Sequence, residues 1–261
     1  IERTSPSILK CKEIAVVDNR LNAEYIDLNL DDNEIFMYRI KAVTFDGIVS
    51  NVSKVTSATT KSLPGQIKQL EATRNLPRKI QLSWNKSEAK DLYYYNIYRA
   101  SSPTGSYSKI VKVHSDHNRY DNLVNEDGKI YFYKITTVDK DELESKKDDV
   151  VPVMGSTLSK PQMPQITLAM IEGNKMILNW ISNDDRTVSY NIYKTSKENW
   201  VSTNETLIPN VNGLRFEDPD VVRGIEYGYR LQAVDSNGLL SETTDKSTLM
   251  LPKIVEKGQE K

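Results

Sequence analysis

At 261 residues the chain is too long for one small domain and suits two or three of about 100 residues each. Hydrophobic residues make up 38% and charged residues 27%, a balance outside the regime of disorder that gives each domain a core of its own to bury. The 35 Lys and Arg balance 36 Asp and Glu with neither sign in a long block, which excludes a broad basic face and argues against nucleic acid as a partner.

The chain starts at Ile1 rather than Met, so a processed or trimmed product is expected. SILKC, Ser7 to Cys11, does not suit lipoprotein cleavage, because Lys10 stands where a small residue is needed and no apolar stretch precedes it. Cys11 is the single cysteine, which excludes an intrachain disulfide framework without excluding an oxidising compartment. FMYRIKAVTFDGIVS, Phe36 to Ser50, then opens a pattern that returns twice. KSLPG, Lys61 to Gly65, is a Pro-containing connector, stiff enough to hold its neighbours semi-rigidly. Beyond it come KIQLSW (Lys79 to Trp84), YNIYR (Tyr95 to Arg99) and YFYKITTVDKDELES (Tyr131 to Ser145). A second connector, GSTLSKPQMPQ (Gly155 to Gln165), leads to KMILNW (Lys175 to Trp180), YNIYK (Tyr190 to Lys194) and YGYRLQAVDSNGLLS (Tyr227 to Ser241). The spacing between matching residues is about 95 throughout, the signature of a tandem array.

Each repeat reads as β. KIQLSW and KMILNW largely alternate apolar and polar residues, and YKITTV and YRLQAV are rich in β-branched and aromatic side chains. SSPTG, NEDG and DSNG supply turns at short intervals, and no window shows a sustained apolar stripe of period 3.6. No apolar run approaches the roughly 18 to 20 residues of a membrane span. The expectation is an all-β chain of antiparallel sandwiches, with boundaries at 1–61, 62–156 and 157–252 and a polar tail over 253–261.

A Trp late in the second strand, Y-x-I-Y-[RK] in the third, and Y-x-Y-x-[IL]-x-[TA]-V-D followed by a turn and Ser together resemble tandem fibronectin type III domains, which are immunoglobulin-like β-sandwiches. The resemblance implies two packed sheets without a disulfide, core tryptophans at Trp84 and Trp180, and a tyrosine corner at Tyr131 and Tyr227 whose hydroxyl bonds nearby backbone. The first repeat has Phe36 at that corner and departs from the pattern. If Tyr25 matches Tyr120, Ile1 stands near a third strand, so the first sandwich is expected to be incomplete at its N-terminus, with its opening strands upstream, removed or supplied by another chain.

Catalytic motifs are absent: there is no G-x-S-x-G, H-E-x-x-H, phosphate loop or G-x-G-x-x-G, and Glu142 with Glu144 lies in a turn rather than a cleft. No enzyme activity and no cofactor are expected. His114 and His117 in HSDH have no third histidine to complete a metal site, and Asp184 with Asp185 in SNDDR lacks the calcium-loop spacing, so both read as solvated loops. Asn51, Asn85 and Asn204 begin glycosylation sequons, and there is no Arg-Gly-Asp. Trp200 falls in a loop where the preceding repeat has Gly105 or nearby; it either packs on its own domain or anchors an interface. In DLYYYNIYR, Tyr93 and Tyr95 share one strand face and Tyr94 and Tyr98 the other. Tyr94 and Tyr98 are therefore candidate partner contacts, against the plainer reading of tyrosine bodies covering a sheet face.

The resemblance, more weakly extended to bacterial fibronectin-like surface lipoproteins, implies a non-enzymatic binding or spacing protein at a cell surface or in an envelope. Its expected partner is a host matrix protein or an envelope component, and a lipid anchor would lie upstream. Two alternatives remain: a structural part of an envelope or phage-tail assembly, and accessory repeats of a secreted carbohydrate-active enzyme.

Overall fold

The computed structural model describes residues 1–6, 8–19, 21–197 and 203–253. These residues form 18 strands and one 3-10 turn at Lys147–Asp149, with no α-helix among them. They divide into two compact units, residues 1–71, 83–120 and 132–153 in one and 72–82, 121–131 and 154–261 in the other. The division runs through the middle repeat rather than between repeats.

In the first unit, β1 (Glu2–Ser5), β2 (Ile8–Glu13), β3 (Ile35–Arg39) and β4 (Thr56–Thr59) form one antiparallel sheet in the order β2-β1-β3-β4. No three-stranded partner sheet from residues 1–61 accompanies it among the described residues. Phe36 is buried, but Ile40, Val43 and Ile48 are exposed, and Phe45 is fully exposed. Apolar side chains of this kind stay wet when nothing covers their face.

The middle repeat contributes β5 (Lys68–Ala72), β6 (Lys79–Asn85), β7 (Leu92–Ala100), β8 (Ser108–His114), β9 (Arg119–Leu123), β10 (Ile130–Asp139) and β11 (Val153–Ser156). They pair as a three-stranded sheet, β5-β6-β9, and a four-stranded one, β11-β10-β7-β8. Alternation on β6 buries Ile80, Leu82 and Trp84 while Gln81 and Ser83 stay half-buried. Trp84 meets Tyr95 edge to face, ring centres 5.3 Å apart. Gly155 of β11 leaves no room for a side chain: a Cβ there would stand 2.5 Å from Ile80 and 3.0 Å from Ala72.

The last repeat lies wholly in the second unit. Its strands are β12 (Gln165–Glu172), β13 (Lys175–Ile181), β14 (Thr187–Lys197), β15 (Thr203–Val211), β16 (Arg215–Asp218), β17 (Glu226–Asp235) and β18 (Ser247–Met250), paired as β12-β13-β16 and β15-β14-β17-β18. Met176, Leu178 and Trp180 of the first sheet share one core with Tyr190, Ile192, Tyr229 and Leu231 of the second, so the two sheets form a sandwich. Trp180 meets Tyr190 at 5.2 Å in the same edge-to-face geometry as Trp84 and Tyr95. Three-stranded and four-stranded antiparallel sheets in two successive repeats give the fibronectin type III-like sandwich implied by the sequence.

The two tyrosines named for the corner differ in surroundings. The Tyr227 hydroxyl accepts the Val222 amide at 3.1 Å. Tyr131 is half-buried, with the Lys129 ammonium 5.8 Å from its ring centre. Replacing Trp180 with Ala is expected to cost about 3 to 5 kcal/mol through the cavity it leaves, read as a lowered urea midpoint. Tyr227→Phe, which removes only the amide's acceptor, is expected to cost about 1 kcal/mol with the fold intact; an unchanged midpoint would remove the hydroxyl from the account.

Candidate functional site

Asp139 and Asp235, 96 residues apart, end β10 and β17 and are almost wholly buried. Each opens a turn built in the same way. Asp139 Oδ1 accepts the amides of Asp141 and Leu143, both at 2.9 Å. Asp235 Oδ1 accepts those of Asn237 at 2.8 Å and Leu239 at 2.9 Å. Beyond each turn a serine, Ser145 or Ser241, returns its hydroxyl to the strand as an acceptor for the amide of Thr137 or Ala233. Short polar side chains satisfy turn amides better than water could at this depth.

The second oxygen of Asp139 faces the Lys61 ammonium at 2.6 Å. Lys61 also reaches Asp141 at 2.6 Å and Asp91 at 2.7 Å, so one cation sits among three carboxylates. Asp139, then Asp141 and Asp91, hold the ammonium well above its ordinary pKa. Burial pushes the Asp139 carboxyl up, but Lys61 and the turn amides outweigh it and leave the pKa below its usual value. Asp91, Asp139 and Asp141 are the one metal-like acidic group among the described residues, and the lysine occupies its centre. Asp91 and Asp141 are substantially exposed, so water screens their share of the attraction and Asp139 makes the strongest contact.

The sequence reading of SNDDR as solvated is corrected at Asp184, whose side chain is only 12% exposed. Its two oxygens meet Arg186 Nε at 3.1 Å and Nη2 at 2.9 Å, and it accepts the Gln162 amide at 3.0 Å. Arg186, then burial and the two backbone amides in opposition, set its pKa; the favourable contacts win and hold the carboxyl far below its usual range. Asp185 remains an exposed loop residue of the same turn.

Of the aromatic candidates, Tyr98 is 9% exposed and is corrected from a partner contact to a buried one. Its hydroxyl donates to Glu144 Oε1 at 2.6 Å and the Lys147 ammonium lies 5.0 Å from its ring centre. Burial first, then Glu144, push its pKa up to about 12. Strand alternation assigned its face, but the turn that covers that face comes from residues about 46 positions later in the chain. Tyr94 is half-buried, and Lys112 both covers its ring at 4.4 Å and donates to its hydroxyl at 3.1 Å. Tyr93 is the more exposed member of the cluster. Trp200 lies outside the described residues. His114 pairs with Asp116 at 3.1 Å. A recess of about 310 Å³ is lined by Pro103, Tyr107, Lys134 and Lys147 among others, with the Lys134 ammonium 5.0 Å from the Tyr107 ring centre. No helix among the described residues is long and apolar enough to cross a membrane.

No family model matches the chain. It is similar to the amylopullulanase of Thermoanaerobacterium saccharolyticum, 39% identical over 88 residues that make up 34% of this chain and 7% of that protein. The amylopullulanase of Thermoanaerobacter thermohydrosulfuricus is 36% identical over 85 residues, 32% of this chain and 6% of that protein. The exo beta-1,2-glucooligosaccharide sophorohydrolase (non-reducing end) of Parabacteroides distasonis is 25% identical over 160 residues, 61% of this chain and 20% of that protein. The chain thus spans only a small part of the curated relatives it matches. Similar solved structures include chicken CNTN1 FN1-FN3 domains, at a TM-score of 0.34 and 10% identity over 86% of this chain and 78% of that one. The two fibronectin type-III domain segment from chicken tenascin has a TM-score of 0.34 and 19% identity over 71% and 99%.

The depressed pKa of Asp184 fixes a pH dependence. Its contribution to stability is complete above the unfolded value near 3.8 and is lost as pH falls through the lower folded value. Urea midpoints taken from about pH 5 to about pH 2 are expected to fall less steeply in Asp184→Asn than in the parent chain. Equal slopes would show that the Arg186 contact does not persist in solution.

Proposed function

We infer that this chain is a run of non-catalytic accessory repeats, acting as a spacer within a larger carbohydrate-active protein. The observation that carries the reading is the size of the shared segments. The matches to amylopullulanases cover 88, 84 and 85 residues, close to one repeat of about 95. A shared unit of that length is a module, and it occupies only 7%, 4% and 6% of those proteins. The fourth relative, also named for action on a glucan oligosaccharide, shares 160 residues, less than two repeats. The core of the last sandwich is filled by tryptophan, tyrosine and aliphatic side chains, as suits a spacer. The similarities to amylopullulanases support this role over adhesion to host matrix, and a location outside the cell or in its envelope is compatible with them.

An antibody raised against the chain tests the reading on extracts and culture medium of the source organism. The captured polypeptide is expected to be several times longer than 261 residues and to hydrolyse an α- or β-glucan, while the isolated chain hydrolyses neither. Capture of a polypeptide no more than one repeat longer, without hydrolase activity, would overturn it.

A further inference from the structure

The buried aspartates of the two turns share more than their amides. In the middle repeat the cation facing Asp139 is Lys61, which belongs to the connector entering that repeat. The same connector is held a few residues on, where Thr137 Oγ1 donates to the Gly65 carbonyl at 2.8 Å. In the last repeat the cation nearest Asp235 Oδ2 is Arg186 Nη1, at 3.6 Å. Arg186 is not in a connector, but it grips one: Nη1 donates to Ser159 O at 3.1 Å and Nη2 to Lys160 O at 3.2 Å. The Gln162 amide and the Met163 carbonyl are held by Asp184 and Asn183, each at 3.0 Å, and Pro161 and Pro164 are buried.

The charges at equivalent positions are reversed. Alignment of Tyr95 with Tyr190 places Asp91 opposite Arg186. Where the last repeat carries its own cation and binds connector carbonyls, the middle repeat carries an anion and takes the cation from the connector. Two different chemical solutions therefore meet at one place, beside the second oxygen of the turn aspartate. In the first repeat that position is Thr44, whose hydroxyl accepts the Ile48 amide at 3.1 Å and supplies no charge.

We propose that the turn opened by Asp139 or Asp235 is part of a socket that clamps the connector leading into its repeat: Asp139 Oδ2 meets the clamping Lys61 at 2.6 Å, whereas the clamping Arg186 is oriented by Asp184 at 2.9 and 3.1 Å and faces Asp235 Oδ2 at 3.6 Å. A buried carboxylate lacking that cation would keep an uncompensated charge, so the socket and the ordered connector stabilise each other. The clamp is modular: each one is made within its own repeat and connector, and the loss of one leaves the other in place.

Backbone ¹⁵N relaxation on the whole chain reads this directly, through the heteronuclear NOE of Ser62, Leu63 and Gly65 in one connector and Gln162 and Met163 in the other. Lys61→Met is expected to drop the first group from strand-like values to those of a free loop and to leave the second unchanged. Arg186→Met is expected to do the reverse. Asp139→Asn keeps the oxygen that accepts the two turn amides and removes only the charge, so it should loosen the first connector while the amides of Asp141 and Leu143 keep their shifts. In that variant the Lys61 amine should also be acetylated faster than in the parent, with exposed Lys54 as the internal reference. Connector NOEs unchanged in both Lys61→Met and Arg186→Met would overturn the proposal. Should Asp139→Asn fail to fold, those two cation variants decide the question by themselves.

Discussion

A carboxylate taken almost wholly out of water must find both its hydrogen bonds and its counter-charge in the surrounding chain. Asp139 and Asp235 impose that condition at the same point of two sandwiches. One oxygen is satisfied locally, by amides two and four residues further on, and this fixes the turn. The other oxygen has no local donor, and its demand reaches out of the turn to Lys61 or Arg186. A local hydrogen-bonding rule thereby becomes a long-range constraint. The cost of leaving such a charge unmatched, typically several kcal/mol, is large beside the net stability of a domain.

A second polar arrangement recurs across the repeats with changes that follow the same logic. Arg3 pairs in register with Tyr38, Arg99 with Tyr133 and Lys194 with Tyr229. In the first repeat Asp27 receives both Arg3, at 2.8 Å, and the Tyr38 hydroxyl, at 2.8 Å. In the last repeat Asp218 receives Lys194 at 2.7 Å and Tyr229 at 2.7 Å. The matching position in the middle repeat is Asn122, which exchanges a charge for an amide. Burial and then the neighbouring carboxylate raise the pKa of Tyr38 to about 12, so the phenol stays a donor at any physiological pH. The aromatic contacts of Trp84 and Trp180 set how the apolar interior fills, and the polar groups satisfy one another across a strand pair whose register is the same in the middle and last repeats.

The fold was legible because its signals are local. Alternation over KIQLSW and KMILNW marks the strands, and the recurrence of the Trp and of YNIY marks the unit, all within windows shorter than ten residues. The charged sites were not legible for the opposite reason. Asp184 stands in SNDDR, a string that reads as wet loop, and only folding brings it against the Gln162 amide. Lys61 and Asp139 lie in segments that no periodicity connects. The available signal was alignment of the repeats with attention to charge, which sets Asp91 against Arg186 and Thr44 against Asp139. For Tyr98, alternation gave the face correctly but could not say that Glu144 and Lys147 would close over it.

Sandwich cores alone do not order a connector. Apolar burial is non-directional and ends at the repeat boundary, whereas an ion pair with a buried oxygen has one preferred position. Placing that oxygen at the end of β10 or β17 sets it on a strand that is an interior member of its sheet and is paired, at the aspartate itself, with Leu92 or Thr187. The connector then inherits order from the strand without forming secondary structure of its own. The sequence of a connector can vary under this arrangement, because the connector either brings the cation itself, as Lys61 does, or offers backbone carbonyls to a cation of the repeat, as Ser159 and Lys160 do to Arg186. Repeats built in this way can be joined through different connectors while keeping the same turn.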